Sequence, residues 1–100
     1  MKVGVCSIKF YVHGNHSLKG KRRIIRTIKD RVKNKFNISI AEVGNQDIWQ
    51  NIQLGIAAVH SDGPYLEGQL QQVVHFIDNM HLAEMTNHEI QVIHLGKEPF

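Results

Sequence analysis

The sequence predicts an α+β fold, a four-stranded antiparallel sheet with two helices on one face and the element order β-α-β-β-α-β. Three observations carry that expectation. Four segments alternate apolar and polar residues or are rich in β-branched ones, two others repeat apolar residues at helical spacing, and polar turns or caps separate them. One hundred residues suit one domain with a single modest core.

Residues 2–12 form the first strand. Gly4, Cys6, Ile8, Phe10 and Val12 fall on one side, with Val3, Val5, Ser7, Lys9 and Tyr11 on the other. Ser7 and Lys9 interrupt the apolar stretch and no small-residue cleavage site follows, so a strand is expected rather than a signal peptide. His13 to His16 turn around Gly14 and Asn15, and Ser17 is placed to cap a helix by accepting a backbone N–H of its first turn. Leu18, Ile25, Ile28, Val32 and Phe36 then recur as the stripe of an amphipathic helix. Arg22, Arg26, Lys29 and Lys33 trace a second stripe, expected opposite the apolar one and flanked by Lys19 and Arg23.

Residues 37–43 and about 49–60 are two further strands joined by GNQD, a polar turn suited to an antiparallel hairpin. Ile52, Leu54, Ile56 and Ala58 form the apolar side of the second. In SDGP, Asp62 is the expected helix cap and Pro64 falls in the first turn, where a missing N–H costs nothing. Leu66, Leu70, Val73, Ile77 and Met80 make the apolar face of that helix. Gly68 interrupts it at a cost of roughly 1 kcal/mol relative to alanine, which predicts a close-packing point. Residues 86–95 are the last strand, ending a domain of residues 1–95, and 96–100 are expected to be a mobile tail. Right-handed crossovers then give the strand order 4-1-3-2, the ferredoxin-like split βαβ sandwich. The alternative is a dimeric sheet made by exchange of the last strand.

Hydrophobic residues at 42% and charged ones at 21% are the balance of a soluble globular chain, and no apolar run reaches transmembrane length. The lone Cys6 excludes an internal disulfide, predicts a cytoplasmic setting and is expected to pack in the core. The net charge of +3 conceals a polarity along the chain. Residues 1–35 hold eleven Lys or Arg against the single acid Asp30, a charge of +10; residues 36–100 hold Lys97 against eight acids, a charge of −7. A positive face of that density attracts polyanions.

Motifs for defined chemistry are mostly near misses. Five residues lie between Gly14 and Gly20 and Lys21 is followed by Arg22, which breaks the phosphate-loop pattern of Gly, four residues, Gly-Lys and Ser or Thr. A simpler anion site remains: free amides after Ser17, with Lys19, Lys21 and Arg22 nearby. His13 and His16 have metal-binding spacing, but the sequence identifies no third ligand. His16, Glu42 and Asp47 could converge at one end of the sheet as an acid–base site. Trp49 and Tyr11 raise base stacking, yet the third strand offers Gln53, Gly55, Ala57 and Val59 on the open face, not the aromatic pattern of an RNA-recognition motif. Val3, Val5, Ala41, Val43, Gly55, Ala57, Val59 and Ile93 would leave that face partly apolar, as a partner surface is.

HSLKGKRRIIRTIKDRVKNKFN, ISIAEVGNQDIWQ and LGIAAVHSD resemble the YlxP-like family of small bacterial proteins, a domain of unknown function, over about residues 3–95. The family pattern usually has glutamate at position 20 and more often Asp-His at 44 and 45, where this chain has Gly20, Gly44 and Asn45. The resemblance implies a ferredoxin-like fold and a setting among translation and ribosome-assembly genes. It supplies no catalytic residue. The expected function is thus a non-enzymatic RNA- or ribosome-associated protein without a cofactor, metal site or membrane partner. Phosphates would meet His16, Ser17, Lys19, Lys21, Arg22, Arg23, Arg26, Lys29 and Lys33. The alternatives are a homodimer or protein partner meeting Val5, Tyr11, Val43, Trp49 and Ala57, and a hydrolase built on His16, Glu42 and Asp47.

Overall fold

A computed structural model describes residues 1–96. The elements are β1 (Lys2–Tyr11), α1 (Leu18–Lys35), β2 (Ser39–Gly44), β3 (Asn51–His60), α2 (Gly63–Asp78) and β4 (Glu84–His94). The strands form one antiparallel sheet in the order β2-β3-β1-β4. Both helices cover the same face, so the chain has the expected ferredoxin-like fold. β4 pairs with β1 of its own chain. Lys97 to Phe100, the greater part of the expected tail, lie outside the described residues.

The core is the set that periodicity selects. Cys6, Ile8 and Phe10 of β1, with Ile52, Leu54 and Ile56 of β3, face Ile25, Ile28 and Val32 of α1 and Leu70, Val73 and Ile77 of α2, all buried. Burial pushes the Cys6 thiol up to about 11, which suits a packing residue and not a nucleophile. The helices meet at Phe36 and Phe76, whose rings are 5.6 Å apart and edge to face, with the Lys35 ammonium 4.8 Å from the Phe76 ring.

Two bulges shift the strand boundaries. Lys9 pairs with Asn87 and Phe10 with Met85, so Thr86 is the extra residue, and its hydroxyl donates to the Lys9 carbonyl at 3.2 Å. Pairing resumes beyond it, which starts β4 at Glu84 instead of 86. In β2, Glu42 pairs with Leu54 and Gly44 with Gln53, leaving Val43 extra.

Caps and glycines differ from expectation in detail. Ser17 Oγ accepts from the Gly20 amide at 3.0 Å, as a cap should. Asp62 occupies the N-cap position of α2 but makes no side-chain capping bond; its own amide donates to His60 Nδ1 at 3.0 Å. Gly68 is not a close-packing point, because a Cβ there would meet nothing within 4 Å. Gly4 is one: a Cβ would lie 2.8 Å from Leu70 Cδ1, so α2 settles onto β1 through its absence.

Candidate nucleic-acid interface

α1 presents its cations beside its core stripe and not opposite it. At 100° per residue, Arg22, Arg26, Lys29 and Lys33 sit about a quarter turn from Ile25, Ile28 and Val32. That rotation tilts them toward the edge strand β2, where they line one groove with Ile25, Asp30 and Glu42. Arg22, Arg26 and Lys33 are exposed and Lys29 is half-buried. Among the described residues none of the four has an ion-pair partner. Lys19 and Arg23 are exposed on the flank, and His16 and Ser17 are exposed at the helix start. The Gly20 amide, taken by Ser17, is unavailable to an anion.

Lys21 departs from this set. It was expected among the phosphate-binding lysines, yet it is 1% exposed. Its ammonium donates to the Asn45 carbonyl and to the Ile48 carbonyl at 2.9 Å, and lies 3.0 Å from Glu42 Oε2. The buried Glu42 oxygen has no aligned hydrogen bond, so the contact with Lys21 is an ion pair. Glu42 alternates with Ile40 onto the helix side of β2 and needs a counter-charge there. Lys21 supplies it, and ties the β2–β3 connection to the first turn of α1.

That connection, residues 45–50, is longer than the expected GNQD turn, and Trp49 lies within it, outside the strand. Asn45 takes the left-handed conformation at φ 58°, which asparagine tolerates. Asn15 secures the other side: its carboxamide donates to the Ser17 carbonyl at 2.9 Å and to the Trp49 carbonyl at 2.7 Å. A Cβ at position 20 would lie 2.4 Å from Asn15 Oδ1. Gly20 therefore makes room for the side chain that joins the two loops.

The remaining candidates are dispersed. Glu42 is committed to Lys21, while His16 and Asp47 are exposed and make no hydrogen bond or ion pair among the described residues. The acid–base site is not assembled. His13 Nε2 lies 2.9 Å from Glu84 Oε1, and its ring packs edge-on to Tyr11. On the open face, β-pairing aligns Ile93, Val3 and Val59 in one row and Gln91, Val5 and Ala57 in the next. Val59, Ile93 and Val43 are exposed, Val3, Val5 and Ala57 half-buried. Among the described residues no helix is long and apolar enough to cross a membrane.

Residues 3–90 match the model of the family described as "Protein of unknown function (DUF503)". A Bacillus subtilis (strain 168) protein described as "Uncharacterized protein YlxP" is 43% identical over 84 residues, which are 84% of this chain and 91% of that protein. A solved structure of a point mutant of SnoaB, a cofactor-independent oxygenase from Streptomyces nogalater, is similar at a TM-score of 0.43 and 12% identity, covering 99% of this chain and 98% of that one. A likeness that loose carries no argument about activity. The chain belongs to the YlxP-like family of proteins of unknown function, DUF503.

Proposed function

We propose that the protein is a non-enzymatic RNA- or ribosome-associated accessory factor that binds phosphate backbone through the groove between α1 and β2. The observation that carries this is the convergence of Arg22, Arg26, Lys29 and Lys33 on one groove with no ion-pair partner among the described residues. Surface lysines and arginines that serve only solubility are commonly interspersed with acids, whereas here Asp30 is the lone acid in the first 35 residues. The translation setting that the family resemblance implies agrees with a polyanionic partner. Lys19 and Arg23 would extend the contact on the flank, and His16 and Ser17 at its end.

Binding of this kind has a signature. Counterion release makes log affinity fall linearly with log salt, by roughly 0.7 per phosphate on single strands. Fluorescence anisotropy with unrelated RNA sequences, and co-sedimentation with ribosomes across a salt series, test it. Affinities alike between sequences and steeply salt-dependent are expected; affinity indifferent to salt would reduce the basic helix to a solvated face.

One observation favours a second role. Ile93, Val3 and Val59 form an apolar row across three strands on the face that the helices leave uncovered, and such a row suits a protein surface or a second copy of the chain.

A further inference from the structure

We infer that the ligand of the basic groove is single-stranded RNA, with one base stacked on Trp49 while its phosphates run along α1. This rests on the phosphate-backbone proposal above and narrows it to a strand type. Trp49 is the chain's sole tryptophan and is 46% exposed. Among the described residues its indole joins no hydrogen bond, ring stack or cation–π contact. A large aromatic surface left in water gains from being covered, and this one contributes nothing to the core.

Its backbone, by contrast, is held from two sides. Lys21, deep under α1, fixes the carbonyls of Asn45 and Ile48, and Asn15 fixes the carbonyl of Trp49. The indole is therefore carried on a braced loop, which lowers the ordering cost of binding. The brace is also continuous with the groove. Glu42 lines the groove with Arg22, Arg26, Lys29 and Lys33, and the same Glu42 faces the Lys21 ammonium that holds Ile48. The loop of Trp49 is thus tied to the first turn of α1 at Lys21, next to Arg22 where the cation track begins, and the track follows the helix for roughly 16 Å from Arg22 to Lys33 at 1.5 Å per residue.

An exposed aromatic on a loop tied to the head of a cation track is a combination that sequence-tolerant single-strand binders use, the ring taking a base face and the track taking the backbone. A duplex keeps its bases stacked inside the helix and offers an indole no free face, whereas a single strand can splay one out. A protein docking on the same indole is the competing occupant, and the experiment separates it.

The sole tryptophan is its own reporter. The full chain is titrated with a short oligouridine and with an RNA duplex of equal charge, following both anisotropy of labelled RNA and indole emission. Oligouridine should quench the emission with the same midpoint as the anisotropy change, and the duplex should leave it unaltered. Trp49→Ala should weaken oligouridine binding by roughly 5- to 100-fold with duplex affinity unchanged, and Trp49→Phe should restore most of the loss; an unfolding midpoint like the wild type confirms that each variant is folded. If oligouridine binds with no change in emission and Trp49→Ala binds it as tightly as the wild type, the stacking role is overturned, phosphate binding stands and the indole is left to a protein partner. If neither RNA binds the wild type, the phosphate proposal fails and the stacking role falls with it.

Discussion

A lysine ammonium that is 1% exposed is tolerated only when its charge and its three donors are met. Lys21 directs hydrogen bonds to the Asn45 and Ile48 carbonyls, and the Glu42 carboxylate balances its charge. Lys21→Met should remove about 3 kcal/mol of stability, the low end for a broken buried pair, because the Glu42 carboxylate it leaves unpaired is only half-buried. Urea denaturation checks this, and adding Glu42→Gln should return part of the loss; an unchanged midpoint would mean that the pair holds nothing. Its place, though not its role, was legible in the sequence. Positions 21, 25, 28 and 32 follow the core spacing of a helix, and Lys21 fills the gap between Leu18 and Ile25. Residue type hid what position disclosed. Glu42 is alike, a carboxylate at a core-facing strand position next to Ile40. The contribution of Asn15 could not be read at all, because it depends on two loops meeting in space.

At the scale of elements, α1 and α2 were predictable for different reasons and fail differently. α1 is marked by Ser17 and by a long apolar stripe, and Ile28 sits in the middle of that stripe, 1% exposed. Ile28→Ala should cost on the order of 2–5 kcal/mol, read as a fall in the unfolding midpoint; no change would detach α1 from the sheet. α2 carries a flaw that packing does not require. With open space where a Cβ would stand and no positive φ at that position, Gly68→Ala should stabilise the chain by about 0.4–1 kcal/mol through the unfolded state. A raised thermal midpoint supports this, and a lowered one would indicate a contact at Gly68. Strand boundaries were less legible than helices. Alternation locates β1 and β3, but the bulges at Thr86 and Val43 insert a residue that no period announces, and the longer loop that carries Trp49 follows from Lys21 and Asn15 and not from turn chemistry.

The whole molecule divides its surface in two. One side is the cation track on α1; the other is the sheet face with its row of Ile93, Val3 and Val59. Val59→Glu, at an exposed position, should abolish any self-association through that face without lowering stability, since a carboxylate is cheap in water and costly when buried in an interface. Sedimentation velocity of wild type and variant tests it, and a dimer that survives unchanged would remove the face from consideration. The two surfaces are independent, so this variant should leave RNA affinity alone. The most direct test of phosphate binding is the salt dependence of RNA affinity in the chain with both Arg22→Ala and Arg26→Ala. Binding should weaken to every RNA sequence alike, with a log–log slope flattened by about 1–2 units and a thermal midpoint that barely moves because both positions are on the surface. A double variant with the affinity and salt slope of the wild type would contradict phosphate binding.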